Sequence, residues 1–116
     1  MTIAFVLAVS AAMLPASGHA KSAPAHCVIR SAGEKSYSGP CRFLREAGGS
    51  FSLEPVGPRL FFGEISTVDV DLVAPGKAEV RGLTTSGIDS RWGSARRSVR
   101  DPACWDGEDF RICVYR

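Results

Sequence analysis

The sequence predicts a small all-β domain: one antiparallel sheet, barrel or sandwich, stapled by two disulfides, with at most one short helix. Three observations predict it. Two strand-like runs, residues 41–45 and 50–54, flank Gly48-Gly49, which is a hairpin signature. Val68, Val70 and Leu72 alternate with Asp69 and Asp71, so one face of that run is apolar and both aspartates lie on the other. Short runs of this kind recur between glycine-rich turns, and no heptad pattern or internal repeat competes with them.

The chain opens on residues 3–14, an apolar run interrupted only by Ser10. It has the length of a secretory h-region and is too short for a membrane span, which needs roughly 20 residues. Pro15 ends it, and Gly18-His19-Ala20 offers small residues for a signal peptidase, so residues 1–20 read as a signal peptide cleaved after Ala20. The leader lacks the usual early Lys or Arg. Residues 21–26 read as a short flexible arm, and residues 27–116 as one disulfide-stapled β domain. With no second long apolar run, the exported protein is expected to be soluble, in the periplasm or secreted.

Within that domain, residues 27–30 make a first strand and Ser31-Ala32-Gly33-Glu34 a turn. Lys35-Ser36-Tyr37 makes a second strand, ended by Gly39-Pro40. The hairpin around Gly48-Gly49 follows, then Pro55, Gly57 and Pro58 punctuate the chain. The strand carrying Asp69 and Asp71 turns at Ala74-Pro75-Gly76-Lys77 and returns over residues 78–85. Residues 88–94 make a strand bearing Trp92, and residues 95–100 are the one stretch that could form a helical turn before Asp101-Pro102. Residues 103–105 and 110–115 close the chain as a hairpin.

Cys27, Cys41, Cys104 and Cys113 all follow the leader. An even count in an exported chain reads as two disulfides. Of the three connectivities, Cys27–Cys41 with Cys104–Cys113 is favoured, because each pair encloses turn residues; sequence alone leaves the other two open. No Cys-x-x-Cys spacing is present and His26 is the only histidine beyond the leader, so no metal and no cofactor are expected.

Catalytic chemistry is not expected either. His26 stands in or beside the arm, the cysteines are expected to be oxidised, and Asp69 and Asp71 share an outer strand face instead of flanking a cleft. Trp105, beside Cys104, reads as a core residue packed on a disulfide. The net charge of +2 is too small to imply nucleic acid. Its distribution points elsewhere: eleven arginines stand against three lysines, and residues 81–100 hold five arginines against Asp89 alone. Guanidinium groups favour bidentate contacts to carboxylates. Arg91, Trp92, Arg96, Arg97 and Arg100 are therefore the expected binding residues.

Two resemblances bear on this. Tyr37-x-Gly39-Pro40-Cys41-x-Phe43, Gly49-Ser50-Phe51, and Arg100-Asp101-x-Ala103-Cys104-Trp105 with Ile112-Cys113 resemble small, uncharacterised, disulfide-bonded exported proteins of Gram-negative bacteria, a group with no established activity. Ser36-Tyr37-Ser38-Gly39 and Gly49-Ser50-Phe51-Ser52 are faintly similar to a loop of periplasmic lysozyme inhibitors, which insert hydroxyl and basic groups into an acidic cleft. The reading is a non-enzymatic periplasmic or secreted binding module for an acidic protein cleft or anionic envelope polymer. A structural envelope protein without a specific ligand is the alternative, and a cell-wall glycan hydrolase the more remote one.

Overall fold

Eight strands form a closed antiparallel barrel in simple up-and-down order. A computed structural model describes residue 4, residues 22–31, residue 33 and residues 35–116. The signal-peptide reading of residues 1–20 thus lies outside the described residues, Ala4 apart. The strands are β1 Ser22–Ser31, β2 Lys35–Arg45, β3 Phe51–Pro55, β4 Ile65–Ala74, β5 Lys77–Thr84, β6 Asp89–Arg97, β7 Cys104–Gly107 and β8 Arg111–Tyr115. Each pairs with its sequence neighbours, and β8 pairs with β1 to close the ring. One turn of 3-10 helix, Ala47–Gly49, joins β2 to β3, with Gly48 at φ 73°. Closure removes the exposed edges that an open sheet of this size would carry.

Alternation fills the interior. Cys27, Ile29, Leu53, Val68, Val70, Ala78, Val80, Ala95 and Ile112 are buried, and together with Trp105 they form one core. An eight-stranded barrel is just wide enough for such side chains to fill it. Asp69 and Asp71 alternate with buried Val68 and Val70 and so face outward, opposite Arg81 and Glu79, as the sequence pattern requires.

Both disulfides have the favoured pairing. Cys27–Cys41 lies inside the barrel, diagonally across β1 and β2. Cys104 and Cys113 stand directly opposite each other on β7 and β8, and point outward because Trp105 and Ile112 beside them point inward. Trp105 is therefore a core residue, as expected, but it faces away from its neighbour's bridge.

Three expected elements differ from the structure. The segment read as a loose arm is strand from Ser22 onward, because Ser22 to His26 pair with Leu44 to Pro40 of β2. β2 does not stop at Gly39-Pro40 but runs through them. β3 flanks β2 only from Cys41 on, so Pro40's missing N–H costs no ladder bond on that side. The Tyr37 hydroxyl donates to the Pro40 carbonyl there, with the Tyr37 side chain lying over Gly39. Residues 95–97 form no helical turn. They extend β6, held by Ala95, Arg96 and Arg97 opposite Gly107, Asp106 and Trp105.

The two ends of the barrel are unlike. At the end where β2 begins, Tyr37 packs edge-on to Phe61 at 5.0 Å, and Trp92 stands 6.0 Å from Phe62 and 5.9 Å from Phe110. The 56–64 connection folds back to place Phe61 and Phe62 there, tied by Phe61 N–H to the Ile65 carbonyl at 2.9 Å. This aromatic plug seals that end. The other end, where β2, β4, β6 and β8 finish, holds a cavity.

Candidate functional site

The cavity at the open end has a volume of about 770 Å³. Its apolar lining comes from strand ends: Phe43 on β2, Phe51 on β3, Leu72 on β4, Trp105 on β7 and Val114 on β8. Each is on the inward-facing parity of its strand, at the last position or two before the barrel mouth. Trp105 is only 3% exposed, so its ring forms part of the closed floor.

Three arginines reach the same cavity: Arg45 at the end of β2, Arg97 at the end of β6 and Arg116 after β8. The Arg97 guanidinium lies over the Trp105 ring, 5.2 Å from its centroid, and that of Arg116 lies over Phe43 at 4.5 Å. These cation–π contacts orient the planar groups while leaving N–H edges free to donate. None of the three is ion-paired among the described residues. Glu46, the one acid in the lining, accepts from the Ser52 hydroxyl. That hydroxyl also lies 2.6 Å from the Asp69 carboxylate on the outer face, so Glu46 is engaged away from the arginines.

Of the five expected binding residues, only Arg97 lines this cavity. Arg91 points outward and is held by Glu79 at 3.0 Å, a bond that holds the Glu79 carboxyl below its ordinary value of 4.5. Trp92 belongs to the aromatic plug at the opposite end, where its exposed edge and Arg91 border a shallow cleft with Asp109 and Phe110. A bulge puts it there: the β5–β6 register shifts between Val80 and Arg81, and Gly93 opposite takes φ 126°, a conformation that favours glycine. Arg96 is exposed opposite Lys77 and Asp106, and Arg100 is exposed in the loop after β6. The arginine segment does not converge on one face, because successive residues of a strand point to opposite sides.

Sequence reasoning missed Arg45 and Arg116. They lie far apart in the chain and meet only because β8 closes onto β1, which pairs with β2. A cation at the end of an apolar-alternating strand was the available signal, and it applies equally to Arg97.

The rest of the surface holds small polar arrangements. The His26 imidazole Nε2 and the Ser38 hydroxyl are 3.3 Å apart on the outer side of β1 and β2. Among the described residues, no group of three or more His, Cys, Asp or Glu side chains is placed to hold a metal ion, and no helix is long and apolar enough to cross a membrane. Two disulfides are the chemistry of an oxidising compartment. In comparisons with protein-family models, curated proteins and solved structures, nothing matches this chain.

Proposed function

We propose that the protein is a non-enzymatic binding module of the periplasm or the exterior. It takes an anionic partner, an acidic protein cleft or an anionic envelope polymer, at the open end of its barrel. One observation carries this reading: Arg45, Arg97 and Arg116 border one cavity, and none has an ion-pair partner among the described residues. Guanidinium groups oriented in advance lose less freedom when they bind, and they suit carboxylates and phosphates. The apolar leader and the two disulfides support export.

Retention on immobilised poly-L-glutamate tests the reading. The exported protein should be held at low salt and released as salt rises. Replacing Arg45, Arg97 and Arg116 together with Ala should weaken retention by about tenfold or more in apparent Kd. Arg91→Ala should leave it unchanged, because Arg91 is already paired with Glu79. Equal retention of the triple variant and the parent would refute the assignment of the open end.

A further inference from the structure

We infer that the open-end cavity is a site for a small amphipathic oxyanion: an aliphatic or aromatic body carrying a single carboxylate, sulfonate or phosphate head. The inference rests on the reading that the open end binds anions, and it goes beyond the macromolecular partner to a small ligand that the cavity itself can take.

A purely electrostatic surface for a polymer needs cations and nothing else. This site sets its cations beside apolar and aromatic side chains. Phe43, Phe51, Leu72, Trp105 and Val114 line it below the arginines, so a ligand body can leave water while its head stays at the rim. The volume, about 770 Å³, falls in the range of roughly 300–1,000 Å³ usual for small-molecule sites. The cavity is blind, because the aromatic plug of Phe61, Phe62, Trp92 and Phe110 closes the far end and the core residues Leu53, Val70 and Val80 fill the space between. A ligand therefore enters and leaves by the arginine-bearing mouth.

The arginines are already placed for the head group. Arg97 and Arg116 each rest a guanidinium face on an aromatic residue of the lining, Trp105 and Phe43. Their remaining N–H donors can grip an oxyanion, while the same aromatic rings meet the ligand's apolar body. Head and body recognition are thus built from the same two pairs. A neutral body of equal shape would lose the head contacts, and a hydrophilic anion would lose the floor.

A matched pair of fluorescent probes tests this. The sulfonate 8-anilinonaphthalene-1-sulfonate and the neutral N-phenyl-1-naphthylamine share one aromatic body and differ in the anionic head. The folded, oxidised protein should bind one equivalent of the sulfonate at least about tenfold more tightly than the neutral probe. Laurate should displace the sulfonate, and dodecanol should not. Arg116→Ala, which lies beyond β8 and outside the sheet ladder, and Arg97→Gln, which keeps most of the side-chain length, should each weaken sulfonate binding by about tenfold and change the affinity for the neutral probe far less. Equal affinity for the two probes, several equivalents bound, or sulfonate binding indifferent to both substitutions would overturn the inference. If poly-L-glutamate is retained through the three arginines while the sulfonate does not bind, this inference falls and the broader one stands. If both fail, both fall.

Discussion

The Tyr115 hydroxyl donates a 2.7 Å hydrogen bond to the Asp101 carboxylate. The same hydroxyl lies 3.6 Å from the sulfur of Cys104, so the side chain reaches the outward-facing disulfide. Asp101 is held from its other oxygen by the Ala103 N–H at 3.1 Å. This contact ties the β6–β7 loop to the last strand and fixes one rim of the cavity, where Pro102 and Ala103 stand.

Acid should release that tie. The Tyr115 hydroxyl first, and then the Ala103 N–H, hold the Asp101 carboxyl below its ordinary 3.8. The group therefore contributes stability above its unfolded value and loses it as pH falls through the lower folded one. Thermal melts followed below pH 4 should fall less steeply for Asp101→Asn than for the parent. Conversely, the Asp101 carboxylate raises the Tyr115 phenol above 10.0. An absorbance titration at alkaline pH should find this tyrosine ionising late in the parent and earlier in Asp101→Asn.

Asp69 should behave with the opposite sign. Burial raises its carboxyl above 3.8, against the lowering effect of the Ser52 hydroxyl, with Glu46 and Asp71 adding to the rise. A raised carboxyl favours the fold when protonated, so its contribution is present at low pH and lost as pH climbs through the folded value. Asp69→Asn should accordingly melt no lower than the parent at pH 7. Ser52→Ala removes the hydroxyl between Glu46 and Asp69 and should cost more at pH 7 than at pH 4. A Ser52→Ala penalty independent of pH would contradict this account.

Gly82 is required by Trp92. A Cβ on Gly82 would stand 2.8 Å from the indole nitrogen, closer than packed atoms approach. Gly82→Ala should destabilise the protein by about 1–3 kcal/mol through this overpacking. In a Trp92→Ala background the same change should cost less. Urea denaturation of the four proteins in that cycle measures the coupling, and additive effects would count against the contact.

The two bridges should differ in what their removal exposes. Each closes a short loop, with sequence separations of 14 and 9, and each is expected to contribute about 2–4 kcal/mol. Cys27 and Cys41 pack within the inner core, so replacing them with Ala also leaves unfilled space there; Cys104 and Cys113 are buried too, but on the outer side, where the Tyr115 side chain that covers them can settle into the space. The inner double variant should therefore show the lower urea midpoint.

Much of this was legible in the residues. The β class, the hairpin at Gly48-Gly49 and the outward aspartates follow from period-two alternation and turn chemistry, which act within a dozen or so residues; the turn residues between the cysteines favoured the observed pairing without fixing it. Sequence also read Pro40 as a stop and residues 95–100 as a helical turn. There the neighbours overrode local preference: β1 continues alongside Pro40, and β7 pairs with residues 95–97.

What the sequence by itself determined is local: the β class, most of the turns, and which face of an alternating strand is apolar. Only the tertiary structure decided that the sheet closes, that one end is plugged and that the other is open. Closure depends on β8 meeting β1, the pairing most distant along the chain, and no local pattern encodes it. It also decided the fate of the arginines. The bulge at Gly93 resets which side chains of β6 face inward, so Trp92 goes to the plug, while Arg97 turns to the mouth and meets Arg45 and Arg116 there.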